Sequence, residues 1–136
     1  MGWLFYSLMT VVLWAGWSFL GKIALDKTTS VQATVMFGLV AALVGAAAIA
    51  LGQRTSSWSF GALWLAALSA LSGSIGLITF YLALQEGKAS VVVPMIGLYP
   101  AIVALLAVVF LDERLSAVQY AGVLLAVTGV ALLGAG

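Results

Sequence analysis

The sequence contains no cysteine and no histidine. Without cysteine the chain can form no disulfide, thiolate nucleophile or thiolate metal site. Without histidine it lacks the commonest metal ligand and the side chain most easily tuned as a proton shuttle near neutral pH. Charge is also scarce, since five basic and four acidic residues leave a net charge of +1. That balance offers nothing to attract nucleic acid. We therefore expect no metal, no cofactor and no nucleic-acid partner.

Apolar residues, in contrast, are abundant. They make up 65% of the chain, whereas they account for roughly half of a soluble domain. A water-soluble fold of this length could not cover so much apolar surface, so we expect the lipid bilayer to surround the chain. The first apolar stretch, residues 1–21, is too long for the core of a signal peptide and has no basic segment before it. We interpret it as a spanning segment.

The nine charged residues fall in four clusters and divide the chain into five apolar stretches. A hydrocarbon core of ~30 Å needs about 20 helical residues, so each stretch can cross once. Irregular backbone facing lipid would leave amides unpaired. The sequence therefore predicts one all-α integral membrane domain over 1–136, half of an inverted-repeat, ten-helix transporter. Its five transmembrane helices are expected at about 3–25, 31–52, 58–85, 90–111 and 116–135.

The ends of two of these helices carry a recognisable sequence signal. Thr29 is followed three residues later by Gln32, and Ser116 is followed three residues later by Gln119. A hydroxyl and a glutamine at this spacing pair reciprocally with amides of the first helical turn. The pattern predicts a capping box at each position.

The orientation signal in the loops is weak. Five spans place Arg54 and Arg114 on the side of the N-terminus, and Lys22, Lys27 and Lys88 on the other. A difference of one basic residue hardly sets orientation. Either an unseen feature sets a single orientation, or the chain inserts both ways and pairs with an inverted copy of itself. We favour the second interpretation, because inverted repeats are a common plan of transporters.

Polar and aromatic side chains gather near the middle of the predicted spans. Thr10, Trp14, Trp17, Ser18 and Gly21 share one face of the first helix by their spacing. An indole N–H or a phenol O–H at this depth needs a protein partner, a water or a ligand. The face is either an aromatic packing seam or a cavity wall for a small amphipathic molecule. The cavity interpretation predicts these substrate-binding residues: Trp14, Trp17, Ser18, Ser72, Thr79 and Tyr99.

Both prolines of the chain lie in the fourth span. With Ser90 as the helix cap, Pro94 falls at the end of the first turn, where few ladder bonds are lost. Pro100 cannot donate to the carbonyl of Ile96, and such a break costs ~3 kcal/mol in a soluble helix. A purely geometric kink would explain it. We favour a hinge formed by Pro94, Gly97 and Pro100, because transporters bind substrate beside interrupted helices.

The stretch YLALQEGKASVVVPMIGLYPAIVALLAVVFLDERLSAVQYAGVLLAVTGVALL resembles the EamA domain of the drug/metabolite transporter superfamily. It has an aromatic end of helix 3, a proline early in helix 4, an acidic residue after it, and Q-x-x-G opening helix 5. WAGWSFLGKIAL resembles the first helix of that family. The resemblance implies that Pro94 and Pro100 lie on the moving helix, that Glu113 is a structural acid at the membrane edge, and that Gln119 and Gly122 open helix 5.

Most members of that family carry two such domains in tandem, related by inversion, whereas this sequence has one. The resemblance therefore implies an antiparallel homodimer, or a heterodimer with a related chain. The small multidrug resistance proteins, a neighbouring branch, exchange protons at a carboxylate within helix 1. Residues 1–21 contain no acid, so that mechanism is not expected here.

These features bear on three possible functions. The first is export of small metabolites, such as amino acids or related compounds, by alternating access across a bacterial or archaeal inner membrane. The second is a flippase for lipid-linked substrates, or a non-transporting partner subunit of a larger complex. The third, a membrane enzyme, is disfavoured because the four acids lie near loop ends and no nucleophile–base spacing exists. We favour transport.

Inverted pairing predicts how the loops react with an impermeant thiol reagent. Single cysteines placed around positions 54 and 88 should each be labelled from both faces of the membrane in cells. Labelling of each loop from one face alone would show a single orientation and remove the antiparallel homodimer.

Overall fold

The computed structural model describes residues 2–52 and 59–134, and these residues form helices and connecting turns with no strand among them. The helices are α1 Gly2–Leu25, α2 Ser30–Ala50, α3 Phe60–Glu86, α4 Ala89–Ile96, α5 Tyr99–Phe110 and α6 Ala117–Gly134. Because α4 and α5 together form one apolar span, Ala89–Phe110, the described residues contain five helical spans that are long and apolar enough to cross a membrane. The prediction of an all-α membrane fold is confirmed. The expected start of the third span at 58 and the end of the fifth at 135 lie outside the described residues.

Two of the helices begin with a capping box. The Thr29 hydroxyl accepts from the Gln32 N–H at 3.2 Å, and the Gln32 side-chain oxygen accepts from the Thr29 N–H at 3.0 Å. Before α6, the Ser116 hydroxyl accepts from the Gln119 N–H at 3.3 Å, and the Gln119 side chain accepts from the Ser116 N–H at 2.7 Å. Each box satisfies two amides that have no helical partner. Both sequence predictions are confirmed.

Among residues 2–52 and 59–134, two residues have positive φ, and each lies just after the end of a helix. Gly52, at φ 79°, follows the end of α2, and its N–H donates to the Ile49 carbonyl at 3.0 Å. Asp112, at φ 54°, follows α5. Glycine meets no steric cost in this left-handed region, and aspartate is one of the few other residues that visit it routinely. These residues let the chain turn back after a span.

The chain divides into two compact units, residues 1–86 and 87–136. In the first unit α3 packs against both α1 and α2. Its buried side chains are few and lie in the C-terminal halves of α1 and α3 and at the start of α2: Ser18, Leu25, Ser30, Phe80, Tyr81 and Leu84. Most other large apolar side chains are exposed. This distribution suits a bundle whose outer surface contacts lipid.

In the second unit α4 packs against α6. The contact is close at Gly134, where an added Cβ would lie 3.0 Å from the Met95 sulfur. A small residue thus allows the backbone of α6 to approach α4. Such approach is a usual means of helix association in lipid, where apolar side chains gain little by leaving the surrounding acyl tails.

The fourth span is interrupted between α4 and α5. The helix ends at Ile96, and the Leu98 N–H donates to the Met95 carbonyl at 3.2 Å in a tighter turn. Helix α5 then restarts at Tyr99 with Pro100 in its first turn. Proline destabilises a helix least in the first turn, because the N–H that it lacks would have no helical partner there in any case. The proposed hinge residues therefore bracket an actual break, whereas their flexing stays a prediction.

The start of the fourth span differs from the sequence expectation. Helix α4 begins at Ala89, with Lys88 in extended conformation as the preceding residue and no side-chain cap. Ser90 was expected to cap this helix, and that expectation is wrong because Ser90 already lies inside it. The Lys88 carbonyl accepts instead from the N–H groups of Val91 and Val92, at 3.0 and 2.9 Å.

Gly97 lies in the break, at a position with no room for a side chain. A Cβ there would lie 2.9 Å from the Pro94 carbonyl oxygen, which belongs to backbone and cannot rotate away. We expect Gly97→Ala to lower the free energy of unfolding by about 1–3 kcal/mol, as measured by denaturation in mixed micelles.

Gly16→Ala is the matched control, because a Cβ at Gly16 meets nothing within 4 Å. Alanine favours a helix interior over glycine by up to about 1 kcal/mol, so this variant should be neutral or slightly stabilised. Equal stability of the two variants would show that the break has room for a side chain.

Candidate functional site

An aromatic cluster surrounds Trp17 in the first unit. Its ring centroid lies 5.1 Å from that of Phe80, 5.6 Å from Phe37 and 6.1 Å from Tyr81. Trp14, one turn earlier on α1, makes an edge-on contact with Trp17 at 6.5 Å. These separations and tilted geometries are those that aromatic pairs prefer. The cluster joins all three helices of the unit through one side chain.

The polar edge of this cluster is a hydrogen bond between two spans. The Trp17 indole Nε1–H donates to the Tyr81 hydroxyl oxygen at 3.0 Å. Tyr81 is only 3% exposed. An indole N–H left unpaired in an apolar environment would cost about 1–3 kcal/mol. The bond therefore fixes both rings, and with them the register of α1 against α3.

Two further polar contacts lie beyond the cluster, towards the loop. The Lys22 ammonium group donates to the backbone carbonyl of Leu84, which is among the last four carbonyls of α3 and so has no acceptor role within the helix. A cation is also favoured near a helix C-terminus by the helix dipole. The Gln85 side-chain amide donates to the Thr28 carbonyl at 3.4 Å. Together these contacts hold the end of α3 against α1 and the turn that leads to α2.

A groove of about 370 Å³ opens between α1 and α2. Side chains one turn apart on each helix form its walls, and Tyr81 of α3 contributes to its lining. No charged residue is among the lining residues, which are Trp17, Leu20, Gly21, Ala24, Thr28, Gln32, Ala33, Met36, Phe37, Val40 and Tyr81. The volume is within the range of small-molecule sites in proteins. The groove can therefore hold a small, mainly apolar molecule.

The predicted site residues of the first helix lie in or beside this region. Trp17 lines the groove. Trp14 contacts Trp17 but leaves 53% of its surface exposed, and Ser18 is buried. The structure thus brings Trp14 and Trp17 together in one cluster. Their role in binding substrate stays a prediction.

The other predicted site residues are elsewhere. Ser72 is exposed on α3, and the Thr79 hydroxyl donates to the Gly76 carbonyl of its own helix at 2.8 Å. Neither lines the groove. Tyr99 belongs to the second unit, at the first residue of α5, and is about half exposed. For these three residues the predicted role also stays untested.

Sequence reasoning did not single out Phe37, Phe80 or Tyr81 as site residues. Adjacent aromatics near the end of a span are sufficiently explained by the aromatic belt at the membrane interface. Phe37 is one of many apolar residues in an almost uniformly apolar helix. Pairing Tyr81 with Trp17 required knowledge of the packing of α3 on α1.

No group of three or more acidic side chains that could hold a metal ion occurs in the described part of the chain.

Comparison with known proteins places this arrangement in a family. The model of the EamA-like transporter family matches residues 1–135. The chain belongs to the EamA-like transporter family. An uncharacterized transporter encoded in the cobO 3′ region of a Sinorhizobium species is 30% identical over 137 residues, which cover 96% of this chain and 95% of that protein.

A second relative of this EamA-like chain is an uncharacterized protein of Methanocaldococcus jannaschii. It is 43% identical over 68 residues, so the match covers 50% of this chain and about half the length of that archaeal protein. No solved structure matches the chain. Membership of this transporter family and the five apolar spans of the described residues indicate an integral membrane protein.

The Trp17–Tyr81 hydrogen bond predicts unequal effects of two similar substitutions. Trp17→Phe removes the indole donor and part of the aromatic cluster, so we expect the free energy of unfolding to fall by about 1–3 kcal/mol. Trp14→Phe removes an indole that makes no hydrogen bond in the described part of the chain, and should cost less than about 0.5 kcal/mol. Denaturation in mixed micelles compares them. Equal losses would mean that the bond contributes nothing to stability.

Proposed function

We propose that this EamA-like protein exports small metabolites, such as amino acids or related compounds, across the inner membrane of a bacterium or archaeon. It works by alternating access as an antiparallel homodimer. The interrupted fourth span is the observation that carries the proposal. Transporters commonly bind their substrates where a helix is broken within the membrane, because the helix ends and unpaired backbone groups at the break can bind the ligand.

The geometry of the break supports this role. Gly97 and Leu98 separate α4 from α5, and Pro100 prevents the helical ladder from continuing across them. An uninterrupted helix would transmit motion along its whole length, whereas this span can bend at a fixed place. Pro94 adds a second residue without an N–H inside α4. Inward-facing and outward-facing states would then differ mainly in the angle between α4 and α5.

Pairing with an inverted copy is supported by the number of spans and by the distribution of charge. The five spans of the described residues place Gly2 and Gly134 on opposite sides of the membrane, and the basic residues of the sequence are divided almost evenly between the two sides. A chain with so weak a bias can insert in both orientations. Two copies would form ten helices around a two-fold axis in the membrane plane. A related chain of opposite orientation would satisfy the same geometry as a heterodimer.

Trp14, Trp17, Ser18, Ser72, Thr79 and Tyr99 remain the proposed substrate-binding residues. The aromatic members can stack on an apolar part of the substrate, and the hydroxyl groups can donate to or accept from its polar part. Trp14 and Tyr99 test this assignment best, because each is about half exposed in its own unit and therefore accessible to a ligand.

Removal of these aromatic groups should impair flux. In proteoliposomes loaded with a panel of radiolabelled amino acids, we expect Trp14→Ala and Tyr99→Phe each to lower the efflux rate about tenfold, because a lost stacking or hydrogen-bonding contact is worth about 1–1.5 kcal/mol. Cross-linking and size measurements should show an intact dimer.

Tyr120→Phe is the control for Tyr99→Phe, because it removes a phenol from another exposed tyrosine of the second unit. Its efflux should equal that of the unmodified protein. Unchanged efflux in both site variants would refute the proposed residues. Activity only in the presence of a second, related chain would favour the partner-subunit alternative.

A further inference from the structure

Tyr81, which lines the groove between α1 and α2, carries a buried hydroxyl group whose capacity to donate a hydrogen bond is unused. The Tyr81 oxygen accepts from the Trp17 indole N–H. Its own O–H proton has no acceptor among residues 2–52 and 59–134, although Tyr81 is 97% buried, with 3% of its surface exposed. A phenol both donates and accepts. In an apolar environment an unused donor is costly, so this proton favours a ligand that brings an acceptor.

The bond from Trp17 prepares the hydroxyl group for that ligand. Because the indole N–H occupies one lone pair of the Tyr81 oxygen, the phenol is held in place and polarised as a donor. The absence of a side chain at Gly21 leaves space for the Tyr81 ring, since a Cβ at Gly21 would lie 3.3 Å from the edge of that ring. Both Trp17 and Tyr81 line the groove. The donor therefore belongs to a side chain that borders a cavity with room for a small molecule.

The remaining lining defines what kind of molecule fits. Thr28 and Gln32 are the polar residues at the loop end, and Met36, Phe37 and Val40 continue the groove towards the middle of α2. A helix rises about 12 Å from Gln32 to Val40. The groove therefore extends over about two fifths of the ~30 Å hydrocarbon thickness. With no charged residue in the lining, an ion would lose its hydration without a counter-charge.

We propose that this groove is a substrate subsite for small amphipathic molecules that carry an uncharged oxygen acceptor, such as a ketone, an ester or an amide. The apolar body of the ligand lies against Trp17, Met36 and Phe37, and its oxygen accepts the Tyr81 proton. This assignment rests on the proposed transport function and narrows its substrates. Amino-acid derivatives with an apolar side chain and an acyl or ester oxygen fit, whereas free hydrophilic amino acids and sugars do not.

Two probes with the same carbon skeleton isolate the hydrogen bond. Benzylacetone has a ketone acceptor, and n-butylbenzene has none. Their binding to the purified full-length protein in nanodiscs is measured by equilibrium dialysis, with binding to empty nanodiscs subtracted. The quantity compared between variants is the ratio of the two affinities, which cancels the contribution of the shared apolar body.

Tyr81→Phe removes the phenol but also leaves the Trp17 N–H available to the ligand, so the double variant Trp17→Phe/Tyr81→Phe is measured with it. We expect the ratio to fall about fivefold in the double variant, the effect of one net hydrogen bond. Tyr120→Phe, which removes a phenol in the second unit, should leave the ratio unchanged. Ala33→Leu, which fills the groove without touching the donor, should weaken both probes about tenfold.

A measurement on the unmodified protein covers the case in which the double variant fails to fold. The infrared carbonyl stretch of bound benzylacetone should lie at lower frequency than in empty nanodiscs, because a hydrogen bond weakens the C=O bond, and Ala33→Leu should abolish that band. An unshifted carbonyl stretch overturns the proposal. So does an unchanged affinity ratio in the folded double variant, or unchanged binding of both probes in Ala33→Leu.

Failure of this subsite and failure of transport give different results. Selective binding of benzylacetone in the groove without efflux of any tested compound would overturn the proposed function and leave a ligand site of this chemistry. Efflux that is unaffected by Ala33→Leu, together with no acceptor preference in binding, would leave the transporter and overturn the subsite.

Discussion

The constraint on which this structure depends is that every backbone amide and carbonyl within the hydrocarbon region must find a partner inside the protein. Long helices meet it within each segment, which is why residues 2–52 and 59–134, with few polar side chains, fold as helices and short turns. The same constraint makes each interruption informative. The described chain interrupts a span at Gly97 and Leu98 only, and it does so where two prolines and a glycine occur close together.

The first unit shows the same constraint at a helix end. The last carbonyls of α3 lack helical partners, and the Leu84 carbonyl is paired with Lys22. The Gln85 side chain also donates to the Thr28 carbonyl, and the Trp17 indole donates to Tyr81. Three hydrogen bonds thus hold the C-terminal end of α3 against α1 and the turn that follows it. The groove begins there and extends along α1 and α2. These contacts lie at the loop end of the groove, where the proposed subsite needs a donor in a fixed position.

The capping boxes and the break in the fourth span could be predicted because they depend on neighbours in sequence. Thr29 with Gln32, and Ser116 with Gln119, need only three residues of spacing. A proline removes an N–H wherever it stands, so Pro100 marks the break whatever surrounds it. The start of α4 was predicted less well, since serine at position 90 is a good cap in general but the helix here begins without a side-chain cap.

The aromatic cluster depended on contacts between residues 64 positions apart, such as Trp17 and Tyr81. A midplane stripe on α1 indicated Trp14 and Trp17, yet nothing local distinguishes Tyr81 from an interfacial anchor or Phe37 from its apolar neighbours. By itself the sequence determined that lipid surrounds the chain, how many spans it has, where two of the helices start and where the fourth span breaks. Each of these follows from composition or from spacing within a few residues. Only the tertiary structure decided which aromatic rings meet, which carbonyl Lys22 pairs with and where the groove opens. Almost every side chain on these helices is apolar, so periodicity does not specify which faces come into contact.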